Sequence, residues 1–252
     1  MTSQSKRKHN FLKSIAELVG IVLIVTAAKT AVAEPFYVPS GSMEPTLLIG
    51  DQLLAVKYPY GYSSASLPAF LSAPGSKRIF GALPQRGNIV VFRWPGERSK
   101  FGVKRVIGLP GDHVALRDGQ VRINGQAAEI RRDGMGQVET EDGIVLPAAR
   151  FIETLPEGRQ HAILKLQATS QFDNMAEVII PPDQLFVMGD NRDNSADSRI
   201  PVSEGGVGLL PVGNLAGRVD GIIGSWDLAI KDEPIWVWGK GLRLSRFFSA
   251  VN

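Results

Sequence analysis

The sequence predicts a mainly β protein preceded by one N-terminal transmembrane helix. Three observations predict it: short apolar or alternating runs bounded by glycine and proline, an Asp-Gly turn between two such runs, and a basic N-terminus ahead of an uncharged apolar stretch. The 252 residues include 27 glycines and 16 prolines, which favour turns and strands over long helices. With 44% hydrophobic and 21% charged residues, the chain is neither wholly disordered nor a polytopic membrane bundle. A formal charge of +3 gives no ground for a nucleic-acid partner. The absence of cysteine excludes a disulfide-stapled small domain and is compatible with an oxidising compartment.

Residues 1–14 form a basic tail with Lys6, Arg7, Lys8 and Lys13, followed by an uncharged run from Leu18 to Ala28. Taken as 15–33, with Glu17 and Lys29 snorkelling near opposite ends, the apolar stretch approaches the roughly 20 residues a bilayer span requires. The basic flank stays cytoplasmic, so the chain beyond about residue 34 faces the outside, with Phe36 and Tyr37 at interface depth. A cleaved signal peptide competes with this reading, because Ala31-Val32-Ala33 forms a small-residue cleavage pattern. Lys29, which interrupts the segment just before those small residues, counts against it.

Strands are expected at Leu53 to Lys57, Asn88 to Phe92 and Phe101 to Ile107. Val114 to Arg117 and Gln120 to Ile123 flank Asp118-Gly119, a dipeptide suited to the positive φ angles of a type I′ hairpin turn, and Asn124-Gly125 closes the second strand. Val178 to Ile180 and Leu185 to Met188 restore strand character after a mixed-charge stretch from 126 to 181. Residues 62–80 read as a long loop with exposed apolar side chains. Residues 231–252 mix Trp236, Trp238, Phe247 and Phe248 with Lys240, Arg243 and Arg246, which suits a membrane interface as well as burial against the core.

Three segments carry possible chemistry. In Val38-Pro39-Ser40-Gly41-Ser42-Met43-Glu44-Pro45-Thr46-Leu47, two prolines and a glycine around two serines force a rigid turn that can present a hydroxyl and backbone N–H groups. Read alone, an ST-turn joining anchor and first strand explains it more simply. In Gly102-Val103-Lys104-Arg105-Val106-Ile107-Gly108-Leu109-Pro110-Gly111-Asp112, strand alternation puts Lys104 and Arg105 on opposite faces, so one cation must occupy a semi-apolar setting. An edge-strand lysine that discourages aggregation is one reading. A lysine desolvated until its amine is neutral is the other, and lowering its pKa from about 10.4 to about 8 costs around 3 kcal/mol, within what burial supplies. The third segment is Met188-Gly189-Asp190-Asn191-Arg192-Asp193-Asn194-Ser195-Ala196-Asp197-Ser198-Arg199, by default a solvated loop. Asp193, Ser195, Asp197 and Glu204 match EF-hand positions, but Ser198 stands where glycine is required and no flanking helices are apparent.

Other hydrolase machinery is missing. There is no G-x-S-x-G elbow, and neither His113 nor His161 belongs to a local catalytic or metal pattern, so each reads as a surface or satisfied structural residue. Lysine is the best available base, and neither a metal nor a cofactor is called for.

PSGSMEPTL, KRVIGLPGD and GDNRDNSADSR, in that order behind an N-terminal anchor, resemble the type I signal peptidases. These are membrane-anchored serine/lysine endopeptidases that remove signal peptides from exported preproteins. The resemblance covers most of 34–120 and 182–226 and does not extend to 126–181. It implies Ser42 as nucleophile, Lys104 as general base, and an oxyanion hole of the Ser42 backbone N–H and the Ser40 hydroxyl. It further implies Ser195 as the partner that orients the lysine, Gly189 as the small residue that permits close approach, and Asp197 with Arg199 as a supporting ion pair. Asn88 stands where the family commonly has Asp, and IPVSEGGVG after Arg199 is longer and more glycine-rich than the common pattern. Val38, Pro39, Met43 and Val103 are the candidates for shallow pockets that accept small substrate side chains, with the peptide paired to a strand edge near Val38 or Val103.

The resemblance also implies an antiparallel β catalytic domain of 34–112 plus 182–230, interrupted by an inserted smaller β domain at 113–181. The expected partners are preprotein signal peptides and membrane lipid, at the outer face of a bacterial inner membrane. Two other classes share parts of the pattern: a serine/lysine self-cleaving regulator, which should carry a helix-turn-helix rather than an anchor, and a non-catalytic anchored β scaffold.

Overall fold

The computed structural model describes residues 10–21, 32–63, 65, 78, 81–140, 143–231 and 233–251. Residues 10–21 are helical. The middle of the expected anchor, 22–31, and most of the expected loop 62–80 lie outside the described residues. Among the described residues no helix is long and apolar enough to cross a membrane.

Among the described residues fifteen strands follow. The large antiparallel sheet has the order β1 (Ala33–Tyr37), β2 (Asp51–Val56), β14 (Leu215–Ser225), β3 (Ile89–Trp94), β4 (Glu97–Gly108), β12 (Gln184–Met188) and β13 (Leu210–Pro211), and β15 (Ser249–Ala250) pairs with β14. Between β4 and β12 the chain builds two smaller sheets. One is β10 (Gln160–Lys165), β9 (Val145–Thr154) and β8 (Glu129–Glu139); the other is β11 (Met175–Ile179), β5 (His113–Arg117), β6 (Gln120–Ile123) and β7 (Gln126–Ala127). The β5–β6 turn has Asp118 at φ 50° and Gly119 at φ 77°, the left-handed pair its sequence calls for.

The large sheet is covered on both faces, and β3 shows why. Ile89 and Val91 enter a core with Leu53, Ala216 and Val219, while Val90 and Phe92 enter a second core with Val106, Leu185 and Val187. On the neighbouring β4, the residues Lys104 to Gly108 are buried on both faces too. Lys104 faces Val90 across the sheet and Arg105 faces Ile89. The expectation of one cation in an apolar setting is exceeded: Lys104 is 3% exposed and Arg105 0%.

Several sequence expectations change. Phe36 and Tyr37 belong to β1, which pairs with β2 because 33–37 reaches an open sheet edge. Phe36 packs edge-on to Phe101 at 5.0 Å. The stretch 126–181, which offered few periodic cues, holds the two long strands β8 and β9. Most of β8 is exposed or half-buried, so no apolar alternation marks it. The C-terminal segment contains a 3-10 helix at Ile235–Gly241, and its arginines face inward: Arg246 pairs with the fully buried Asp51 at 2.6 Å and donates to the Thr46 carbonyl, and Arg243 donates to the Ile49 carbonyl. Trp236 and Phe248 stay exposed.

Candidate active site

Ser42 lies in a single 3-10 turn, Gly41–Met43, directly after the strand-like segment that continues β1. Val38 prolongs the β1–β2 pairing, donating to the Asp51 carbonyl and accepting from Gly50, and Pro39 ends it. Behind the turn, the Asn191 amide donates to the Ser42 carbonyl at 3.2 Å and its side-chain nitrogen to the Gly41 carbonyl at 3.1 Å. The third sequence segment thus forms the back wall of the first.

Lys104 reaches the turn from the middle of β4. Its Nζ is 2.7 Å from Ser42 Oγ and 3.1 Å from the Val103 carbonyl oxygen. Burial lowers the amine to about pKa 8, against the attraction of Asp197 and Asp190. Arg105, one residue on, forms a fully buried bidentate pair with Asp190 at 2.9 and 2.7 Å. Two adjacent buried cations thus differ in their partners: Arg105 meets a carboxylate, Lys104 a hydroxyl and a carbonyl oxygen.

The residues expected around the lysine fall into three groups. Asp197 and Arg199 form a bidentate pair at 2.9 Å, and the Gly189 N–H donates to Asp197 at 3.0 Å. Burial alone would raise the Asp197 carboxyl, but Arg199 and the Gly189 N–H outweigh it and hold it below the usual carboxylate range. Gly189 packs so closely that a Cβ there would collide with the Ser42 carbonyl and Ser195 Oγ. Ser195 is buried beside Asp197, whose carboxyl its hydroxyl also helps to hold low, and the second bond of Lys104 goes to Val103. Ser40 Oγ is 3.5 Å from Ser42 Oγ, on the same side of the turn.

A cleft of about 370 Å³ opens beside Ser42 and Lys104. Phe36, Leu53, Val91, Phe101 and Val103 give it an apolar side, and Pro39, Ser40 and Tyr37 its rim. Val38 and Met43, expected to line the pocket, do not: both are buried in the core beneath it, because the strand alternation and the 3-10 turn aim them inward. Pro39 and Val103 do line it. β12 covers β4 only from Arg105 to Gly108, so from Glu97 to Lys104 the edge opposite β3 has no strand partner among the described residues.

Sequence reasoning missed a set of buried charges behind this site. His161, read as a surface or satisfied structural residue, is 5% exposed, with Nε2 3.2 Å from Glu153 and 3.9 Å from Asp190. Glu153 holds Arg192 bidentately at 3.0 and 2.5 Å. No local spacing could reveal this, since Glu153 and Arg192 are 39 positions apart. His113, by contrast, is on the surface beside Glu177. Among the described residues no group of three or more acids and histidines is placed to hold a metal ion.

The family model described as signal peptidase, peptidase S26, matches residues 11–226. Signal peptidase I of Rickettsia typhi is 36% identical over 263 residues, covering 97% of this chain and 95% of that protein. Signal peptidase I of Rickettsia canadensis is 36% identical over 266 residues, covering 98% and 95%. A crystal structure of a signal peptidase I from Enterococcus faecalis aligns with 24% identity, 55% of this chain, 97% of that chain and a TM-score of 0.32. With well over half of its length matched by the family model and nearly all of it by relatives at 36% identity, the chain belongs to the signal peptidase family, peptidase S26.

Proposed function

We propose that this serine endopeptidase removes signal peptides from preproteins with Ser42 as nucleophile and Lys104 as general base. The neutral amine accepts the Ser42 proton as Oγ attacks the scissile carbonyl, and the Ser42 N–H with the Ser40 hydroxyl holds the resulting oxyanion. Lys104 returns the proton to the departing amine, leaving an ester acyl-enzyme, then takes a proton from the water that hydrolyses it. The 2.7 Å contact between a buried, pKa-lowered amine and the Ser42 hydroxyl carries this reading. Ser195, buried between Asp197 and the Gly189 backbone, is the group that can hold the amine once Ser42 is acylated.

Substrate binds as an added strand on the open β4 edge at Val103, so alternate side chains fall on the apolar side of the cleft. Small residues fit there because Phe36 and Phe101 leave little depth. The catalytic unit is 34–112 with 182–230, and 113–181 is inserted in it. The anchor, from residue 15 up to the start of β1, holds the chain in a bacterial inner membrane, with 1–14 cytoplasmic and the catalytic unit outside. Ile235, Trp236, Leu244 and Phe248, all exposed among basic residues, face the lipid surface.

Purified protein in detergent, given a preprotein ending its signal in an A-x-A pattern, is expected to cut after that pattern. Ser42→Ala and Lys104→Met should each lower kcat by roughly 10³-fold or more, and the double variant no further, as for residues acting as one unit. Intact processing by Ser42→Ala would leave the non-catalytic scaffold as the better reading.

A further inference from the structure

The inserted sheet sends two ionisable side chains into the back of the active site. Glu153 on β9 and His161 on β10 face each other directly across the sheet, and both are buried. Beside them lie Arg192 and Asp190, and beyond Asp190 lie Arg105 and Thr46, whose hydroxyl donates to Asp190 at 2.5 Å. The same segment is pinned by backbone: Leu164 of β10 donates to the Asp190 carbonyl and accepts from the Arg192 N–H, both at 2.9 Å. On its other side, Asn191 holds the Gly41 and Ser42 carbonyls. One three-residue segment is therefore clamped between the insertion and the nucleophile turn.

Charge within this cluster nearly cancels. Arg105 and Arg192 supply two cations, and Asp190 and Glu153 two anions. His161 is the fifth member, with Nε2 3.2 Å from Glu153, to which it is hydrogen-bonded, and 3.9 Å from Asp190. An imidazole N–H between two buried carboxylates serves both: it donates to the nearer and orients its dipole towards the other. Asp190 is also one of the two anions that favour the charged form of Lys104, so what His161 does to Asp190 reaches the catalytic amine. The groups that face this chain of contacts are Glu153, Arg192, Asp190 and Arg105 around His161, and Asp197, Arg199 and Lys100 around Lys104.

We propose that His161, supported by Glu153, is a positioning residue of the active site: from the inserted sheet it donates to the Asp190–Glu153 pair, fixes the 189–192 segment behind Ser42, and partly offsets the negative field of Asp190 at Lys104. The insertion is then a working part of the catalytic unit. This rests on the Ser42–Lys104 reading, whose own failure would appear as full activity in Lys104→Met, an outcome no His161 variant can produce.

The test is a pH–rate profile of the full chain in detergent for His161→Leu, His161→Gln and Glu153→Gln, with thermal melts alongside. His161→Leu lacks the donor and is expected to lower kcat by 10-fold or more with KM unchanged, and to move the ascending limb to higher pH by about half a unit. His161→Gln keeps a neutral donor and should stay within roughly three-fold of the parent, with its limb unmoved. Glu153→Gln leaves Arg192 unbalanced and should move the limb to lower pH. Should His161→Leu fail to fold, the Glu153→Gln limb decides alone. A limb that coincides with the parent in every folded variant, or equal losses in His161→Leu and His161→Gln, would overturn the proposal and leave the ring a spacer.

Discussion

Lys104 Nζ meets Ser42 Oγ at 2.7 Å although the two residues are sixty-two positions apart, and the lysine is only 3% exposed. Because burial depresses the amine to about pKa 8, the reactive base form dominates only above that value. The expected outcome is a kcat/KM that rises about ten-fold per pH unit below pH 8 and levels off above it. A profile still climbing steeply at pH 10 would show an ordinary, solvated lysine.

The same depression has a cost in stability. Since the folded state binds the proton less tightly than the unfolded state, stability rises with pH from about 8 to the unfolded value near 10.5, and below 8 the full penalty applies. On the order of 3 kcal/mol is involved. Lys104→Met is therefore expected to melt several degrees higher than the parent at pH 7 while losing activity, which differential scanning calorimetry checks.

Glu44 carries the opposite sign. Buried two residues beyond Ser42, it is pushed up to about 7 by desolvation first, with the nearby Glu139 adding to the rise, even though the Glu139 N–H donates to it at 3.1 Å. Its raised value contributes stability that is complete below about pH 4.5 and gone above 7. Glu44→Gln keeps the acceptor and removes the charge. Urea titrations should find it more stable than the parent by about 1–3 kcal/mol at pH 8.5 and equal to it near pH 4.5; equal midpoints at both pH values would place Glu44 in water.

Gly189→Ala tests the close approach of the third segment to the nucleophile turn. The new methyl would strike the Ser42 carbonyl, a backbone atom that cannot swing aside. Activity should drop by at least ten-fold, with a stability loss of about 1–3 kcal/mol from overpacking. Unchanged kinetics would mean the two segments are not in contact.

Arg246→Ala isolates the C-terminal segment. It leaves the fully buried Asp51 carboxylate with the Leu48 N–H but without its cation, and frees the Thr46 carbonyl behind the turn. Loss of about 3 kcal/mol of unfolding free energy is expected, as for one partner removed from a buried pair. A change under 0.5 kcal/mol would make the segment a passive tail.

What could be read in advance follows the range of each interaction. The Asp118-Gly119 turn was legible because its backbone preference is local, and β5 and β6 followed from it. β14 was not: Gly217, Gly221 and Gly224 and two bulges against β2 break the alternation in a strand at the centre of the large sheet. β8 escaped because it shows water most of its length. At the site, Ser42, Lys104, Asp197 and Arg199 stood out through their segments, whereas Glu153 and His161 sit in a stretch with no pattern and gain meaning only from Asp190 and Arg192.

The sequence by itself determined which groups exist to do chemistry: a rigid serine-bearing turn, a lysine on a strand, a polar segment, and no competing histidine or cysteine pattern. Only the tertiary structure decided that Lys104 has a partner and is kept dry. Dryness is a property of neighbours, set by β3 packing on both faces and by the 189–197 segment closing the back, and a chain read one residue at a time carries no measure of it.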